Sequence, residues 1–190
     1  ALFYEEKRPF FLEGRELFST AATSPGALMP TPVHTRQIVD PRFGGKLTGK
    51  IGTSNTVAAI LARDELLDPS AGEFADFAIL RYRRALSDDS YLGGLYTGRE
   101  ADLRSNRVVG VDGQLRLNGA STLAGHAFTS RTEENGAADD GWALGMHYRA
   151  SLGSEAVTGS VEIRLPAPPQ VARHEGYETA FMQPGTATLT

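Results

Sequence analysis

Gly141-Trp142-Ala143-Leu144-Gly145-Met146-His147-Tyr148-Arg149-Ala150-Ser151-Leu152 alternates with a period of two. Trp142, Leu144, Met146, Tyr148, Ala150 and Leu152 fall on one side, and Ala143, Gly145, His147, Arg149 and Ser151 on the other. Successive side chains of a strand point to opposite faces, so this stretch reads as a β-strand with one greasy face and one face that is wet or small. The stretch after it repeats the pattern, with Val157, Gly159, Val161, Ile163 and Leu165 against Thr158, Ser160, Glu162 and Arg164. Upstream, Val109, Val111, Leu115 and Leu117 oppose Asp112, Gln114, Arg116 and Asn118, and Leu47 and Ile51 oppose Lys46, Thr48 and Lys50. The stretch 73–85 is less clean, because Asp76 and Arg84 share a face with Ala78, Leu80 and Tyr82.

Working outward, the pattern predicts an all-β antiparallel meander of about eight long strands, near 44–52, 55–63, 73–85, 90–98, 106–118, 121–132, 141–152 and 156–165. Gly52-Thr53-Ser54-Asn55, Ser87-Asp88-Asp89, Asn118-Gly119-Ala120-Ser121 and Gly153-Ser154-Glu155 are expected to be tight turns. Asp64–Gly72, Arg99–Ser105 and Glu133–Asp140 are expected to be longer polar connections, giving an alternation of short and long. Strands of this length and that alternation suit a transmembrane outer-membrane-type β-barrel or part of one, whose tilted strands need about nine to eleven residues. Trp142, Tyr91 and Tyr82, near strand ends, suit aromatic girdles. A soluble antiparallel sheet with one buried face gives the same alternation, so a soluble barrel or sandwich stays open as the alternative.

Residues 1–43 read as a charged and aromatic lead-in or plug-like segment, 44–165 as the barrel meander, and 166–190 as an irregular tail. Ser24-Pro25-Gly26 and Met29-Pro30-Thr31-Pro32 forbid long regular elements in the lead-in, apart from a short helix expected over Glu13–Phe18. The chain opens at Ala1 without an initiator Met, which reads as a processed form or a piece of something longer. No apolar run has the length of a spanning helix.

Composition narrows the chemistry. The chain has 190 residues, 19 Lys and Arg against 23 Asp and Glu, and a net charge of -4. It therefore lacks the basic footprint of a nucleic-acid binder. With no cysteine there is no disulfide, thiolate metal site or thiol nucleophile. His34, His126, His147 and His174 are scattered without metal-ligand spacing, so neither a metal nor another cofactor is expected. His126 is expected to pack or to line a lumen beside Thr122, Ala124, Phe128 and Ser130. Lys46, Lys50, Arg116, His147, Arg149, Glu162 and Arg164 are the candidate lumen-facing residues, because inward charges tune what a barrel admits; in a narrow barrel the same residues simply fill the interior. No catalytic motif is found. The densest charge cluster, Glu5, Glu6 and Glu13 with Lys7, Arg8 and Arg15, reads as an ion-pair knot anchored by Phe10, Phe11 and Leu12, and alternatively as a source of acid-base carboxylates.

Glu6-Lys7-Arg8-Pro9-Phe10-Phe11-Leu12-Glu13-Gly14-Arg15-Glu16-Leu17-Phe18 resembles the opening block of a bacterial family of unknown function whose outer-membrane-type barrel usually follows a family-nine-type carbohydrate-binding domain. His34-Thr35-Arg36-Gln37-Ile38 stands where that family has a Ser-Arg-Arg-Ile-like run. Gly44-Gly45-Lys46-Leu47-Thr48-Gly49-Lys50 and Asn106-Arg107-Val108-Val109-Gly110-Val111-Asp112 resemble its strand motifs. The resemblance implies a structural motif role for Glu6, Lys7, Arg8, Glu13 and Arg36, a location in the bacterial outer membrane, outer-membrane lipid as a partner, and a glycan as a ligand; the unpaired edges of an open sheet add the expectation of protein partners that complete an assembly. Some members are named membrane-associated hydrolases. The expectation is therefore a non-catalytic outer-membrane barrel with a structural, solute-binding or uptake role; the alternatives are a membrane-associated carbohydrate-active hydrolase and a soluble β module that assembles through its edges.

Overall fold

The structure is a computed structural model that describes residues 7–23, 32, 33, 35–66, 73–152, 155–165, 188 and 189, and the side chains of these residues except Arg36 and those from Ser151 onward. The protein is an all-β antiparallel meander. Eight long strands, β1 (Pro41–Ile51), β2 (Asn55–Glu65), β3 (Phe74–Ser87), β4 (Ser90–Ala101), β5 (Arg104–Asn118), β6 (Ser121–Glu134), β7 (Ala137–Leu152) and β8 (Glu155–Leu165), follow one another in one sheet, and β9 (Thr188–Leu189) adds to β8. Among the described residues β1 pairs only with β2, so it forms one edge.

The strands outrun their expected ends. β4 continues to Ala101 and β5 starts at Arg104, while β6 and β7 are joined by Asn135 and Gly136 alone. The expected long connections at 99–105 and 133–140 are thus tight turns, and the alternation of short and long connections does not hold. Two features explain this. Asn135 and Gly136 have φ of 50° and 83°, the pair of left-handed residues that a two-residue hairpin turn requires. The polar residues that suggest a loop are held in strand by ion pairs, Arg107 with Glu100 and Arg131 with Glu133. Among the connections that join β1 to β8 in sequence, the one between β2 and β3 is long, and residues 67–72 of it lie outside the described residues.

The lead-in is short-range structure laid across one face. The expected helix over Glu13–Phe18 is instead α1 (Pro9–Leu12) followed by a 3-10 turn over Arg15–Phe18, because Gly14 takes φ 70° and breaks the run between them. A second 3-10 turn spans Thr35–Gln37. Strand β1 begins at Pro41, slightly upstream of the expected boundary at 44. The tail region 166–187 lies outside the described residues.

Phe11, Phe18 and Ile38 of the lead-in are buried against Ala58, Ile60 and Ala62 of β2, Ala75, Phe77 and Ile79 of β3, and Leu95, Val108, Phe128 and Ala143 of the following strands. These sheet residues occupy one face. The opposite face carries large apolar side chains open to the surroundings: Leu47 is 66% exposed, Leu61 53%, Val111 55% and Met146 49%. The sheet therefore has a covered face and an uncovered apolar one.

Candidate functional site

The covered face holds a polar cluster at its centre. Gly93 of β4, Asp112 of β5, His126 of β6 and Gly145 of β7 are successive register partners, so they form one row across four strands. Arg81, on β3 opposite Leu95, reaches diagonally into that row. Its guanidinium makes a bidentate pair with Asp112, including Nη2 to Oδ2 at 2.9 Å, and the two side chains are 1% and 0% exposed. The two glycines make this possible. A Cβ at Gly93 would stand 2.7 Å from Arg81 Nη1 and 2.9 Å from Asp112 Oδ1, and one at Gly145 would stand within 2.5 Å of the His126 ring. The row has room for long polar side chains lying flat because its flanks have none.

The cluster grips the lead-in. Asp112 Oδ2 accepts the Ala21 backbone N–H at 2.8 Å and the Tyr91 hydroxyl at 3.0 Å. Arg81 Nη2 donates to the Ser19 carbonyl at 3.0 Å, and the Ala21 carbonyl lies 2.9 Å from His126 Nδ1, which must carry the proton because a carbonyl only accepts. Both backbone groups of Ala21 are thus satisfied by sheet side chains. Charge-assisted hydrogen bonds in a dry site are strong, and they hold Ala22 in a left-handed conformation at φ 56°. Two further grips lie elsewhere. Asp64 accepts the backbone N–H groups of Val39 and Asp40 at 3.0 and 2.6 Å. Lys46 Nζ donates to the carbonyls of Phe10 and Glu13, both at 2.8 Å, and pairs with the Glu13 carboxylate at 3.2 Å.

The structure distributes the sequence candidates among several places. Lys46, Lys50, Arg116, His147 and Arg149 project to the covered side by strand parity, and Lys46 bonds the lead-in at Phe10 and Glu13. Arg116 pairs with Asp89 at 2.8 Å and donates to the Gly119 carbonyl, at the turn end of the sheet. His147 and Arg149 lie toward the same end, one and two steps beyond Gly145 on the face that carries it. Glu162 stands opposite Gly145 and Arg164 opposite Ala143, with their side chains outside the described residues. Arg8 donates to the Thr35 carbonyl at 3.0 Å and to the Ile38 carbonyl, with its guanidinium 4.4 Å from the Phe11 ring centre, so it ties the lead-in to itself. Lys7 is exposed. Glu5, Glu6, His34 and His174, and the side chain of Arg36, lie outside the described residues. His126 lies on the covered face beside Phe128, their ring centres 5.4 Å apart. Tyr91, expected in a girdle, instead points to the covered face and bonds Asp112.

Arg81, Tyr91 and Ser19 to Ala21 are the members of this cluster that sequence reasoning missed. The available signal was a charge following Phe77 and Ile79 on the same strand face, with glycines inside neighbouring strands. Among the described residues no group of three or more His, Asp or Glu side chains is placed to hold a metal, and no helix is long and apolar enough to cross a membrane.

A family described as a domain of unknown function (DUF7350) matches residues 122–190, which begin within β6. No curated protein and no solved structure matches this chain.

Proposed function

We propose that the chain is wall and plug of an outer-membrane-type β-barrel in a bacterial envelope, with a structural, solute-binding or uptake role and no catalysis of its own. The observation that carries this reading is a sheet that is apolar on both sides: the covered face packs the apolar core and the buried Arg81 and Asp112 under the lead-in, while the opposite face leaves large apolar side chains uncovered. A sheet in water hides its apolar face, whereas a barrel in lipid shows it. Strand dimensions agree with this. The apolar run of β5 from Val109 to Leu117 matches the roughly nine to eleven residues of a tilted spanning strand, and Arg63 and Asp76, which stand on the uncovered face, pair with each other at 2.6 Å near the strand ends. Phe11, Phe18, Ile38 and the Ala21 grip make the lead-in the plug. The edge of β1 is where further strands or a protein partner complete the wall.

A glycan link rests on the family resemblance alone. The solute chemistry has its own support, since Lys50, Arg83, His147 and Arg149 stand on the covered side near the turn end, beside the Arg116 and Asp89 pair, and favour an anion. The hydrolase alternative has Glu13 as its one described carboxylate, and Lys46 already engages it.

Extraction of source membranes with alkaline carbonate and then mild detergent tests the reading. Resistance to carbonate with release by detergent is expected. Recovery in the carbonate or soluble fraction contradicts it and moves the soluble-module alternative forward.

A further inference from the structure

The uncovered face has a hollow of about 250 Å³ near the end that carries the β2 to β3 connection, floored by Ala78 and Gly98 and walled by Phe43, Leu61 and Tyr96. Ala78 and Gly98 are register partners on β3 and β4, so two positions with little or no side chain stand side by side between larger neighbours. The hollow follows from that juxtaposition. The Tyr96 ring folds over Gly98, with its hydroxyl oxygen 2.5 Å from where a Cβ would stand, so the chain could not fill this floor without moving its wall.

Four charges surround the mouth. Asp76 and Glu100 line it and face each other across β3 and β4, an arrangement that is repulsive by itself. Each is held from its far side by an arginine. Arg63 binds Asp76 through two bonds of 2.7 and 2.6 Å, and Arg107 binds Glu100 through two of 2.6 and 2.8 Å. Along the rim the order is positive, negative, negative, positive, with no net charge. A guanidinium has five N–H donors and a bidentate pair uses two, which leaves donors on both arginines for a phosphate.

An apolar floor below a neutral rim of separated charges fits a zwitterionic amphiphile whose cation donates hydrogen bonds. We infer that this hollow seats one phosphatidylethanolamine molecule, with its ammonium between Asp76 and Glu100, its phosphate on Arg63 or Arg107, and a chain across Ala78 against the Tyr96 ring that lies over Gly98. The inference rests on the membrane reading above. A choline headgroup has no N–H to give the two carboxylates, and a glycerol headgroup brings no cation to them.

The test folds the chain into bilayers containing equal phosphatidylethanolamine, phosphatidylcholine and phosphatidylglycerol, extracts it in mild detergent, and weighs retained lipid by native mass spectrometry. The wild-type chain is expected to retain phosphatidylethanolamine several-fold over the other two. Asp76→Asn with Glu100→Gln should abolish that preference, and Ala78→Phe should reduce retention of all three lipids by filling the hollow. Each variant stands on the uncovered face away from the core, and either one decides the matter if the other does not fold. Retention in proportion to abundance, or a preference that survives the variants, overturns the inference and leaves the membrane reading in place. A chain that enters none of these bilayers overturns both.

Discussion

The two faces of strands β3 to β7 share a backbone and differ in what satisfies them. On one, Arg81 and Asp112 are fully enclosed and Asp112 accepts from a guanidinium, a phenol and a backbone N–H. On the other, Leu80, Val111, Leu144 and Met146 meet no part of the described chain that covers them and stand 44 to 55% exposed. The contrast teaches that burial here is made by a segment, the lead-in, whereas exposure is made by the sheet. The covered face is specific, because Asp112, His126 and both Nη atoms of Arg81 have named partners, with Arg81 Nε left unbonded beside them. The uncovered face is generic, and what it needs is an apolar solvent.

The largest effect is expected on the covered face. Asp112→Ala leaves Arg81 buried without its counter-ion, and removal of one partner of a buried pair costs about 3 to 5 kcal/mol; urea titration of the chain folded in vesicles should show that loss, with the lead-in becoming protease-sensitive. Next comes Leu144→Arg at the middle of the uncovered face, where a lipid-facing charge costs about 2 to 4 kcal/mol. The same arginine at Leu117, near the turn end, should cost about 1 kcal/mol or less, because the penalty fades toward the interface. In water both substitutions would be neutral, so this pair of titrations separates lipid from solvent. A loss between those two, about 1 to 3 kcal/mol, is expected for Gly145→Ala, whose methyl group displaces the His126 ring. The smallest effect is a gain: Ala22→Gly relieves a left-handed alanine at φ 56° and should raise stability by about 0.5 to 1 kcal/mol, offset in part by the freedom of glycine in the unfolded chain.

The strands were legible because alternation is imposed residue by residue by the two faces. Trp142, Leu144, Met146 and Tyr148 display it without help from any distant contact. The turn at Asn135 and Gly136 was missed because acidic residues on both sides resembled a loop, although Arg131 pairs with Glu133 along its own strand and with Asp140 across the hairpin. The candidate site was less legible. Asp112 could be placed on the wet face, yet its partners lie 31 and 91 residues away, at Arg81 and Ala21, and no periodicity encodes contacts of that range. Tyr91 was misassigned for the same reason, since an aromatic near a strand end suits a girdle until a buried carboxylate claims its hydroxyl.

Trp142 is the single tryptophan of the chain and stands 43% exposed on the uncovered face, so it reports on the solvent of that face directly. The chain is folded into phospholipid vesicles and its fluorescence is followed as lipids brominated along the acyl chain replace ordinary ones. A lipid-facing Trp142 gives a blue-shifted emission that brominated lipid quenches strongly. Emission typical of water, with no quenching and the chain remaining monodisperse outside the vesicles, would contradict it.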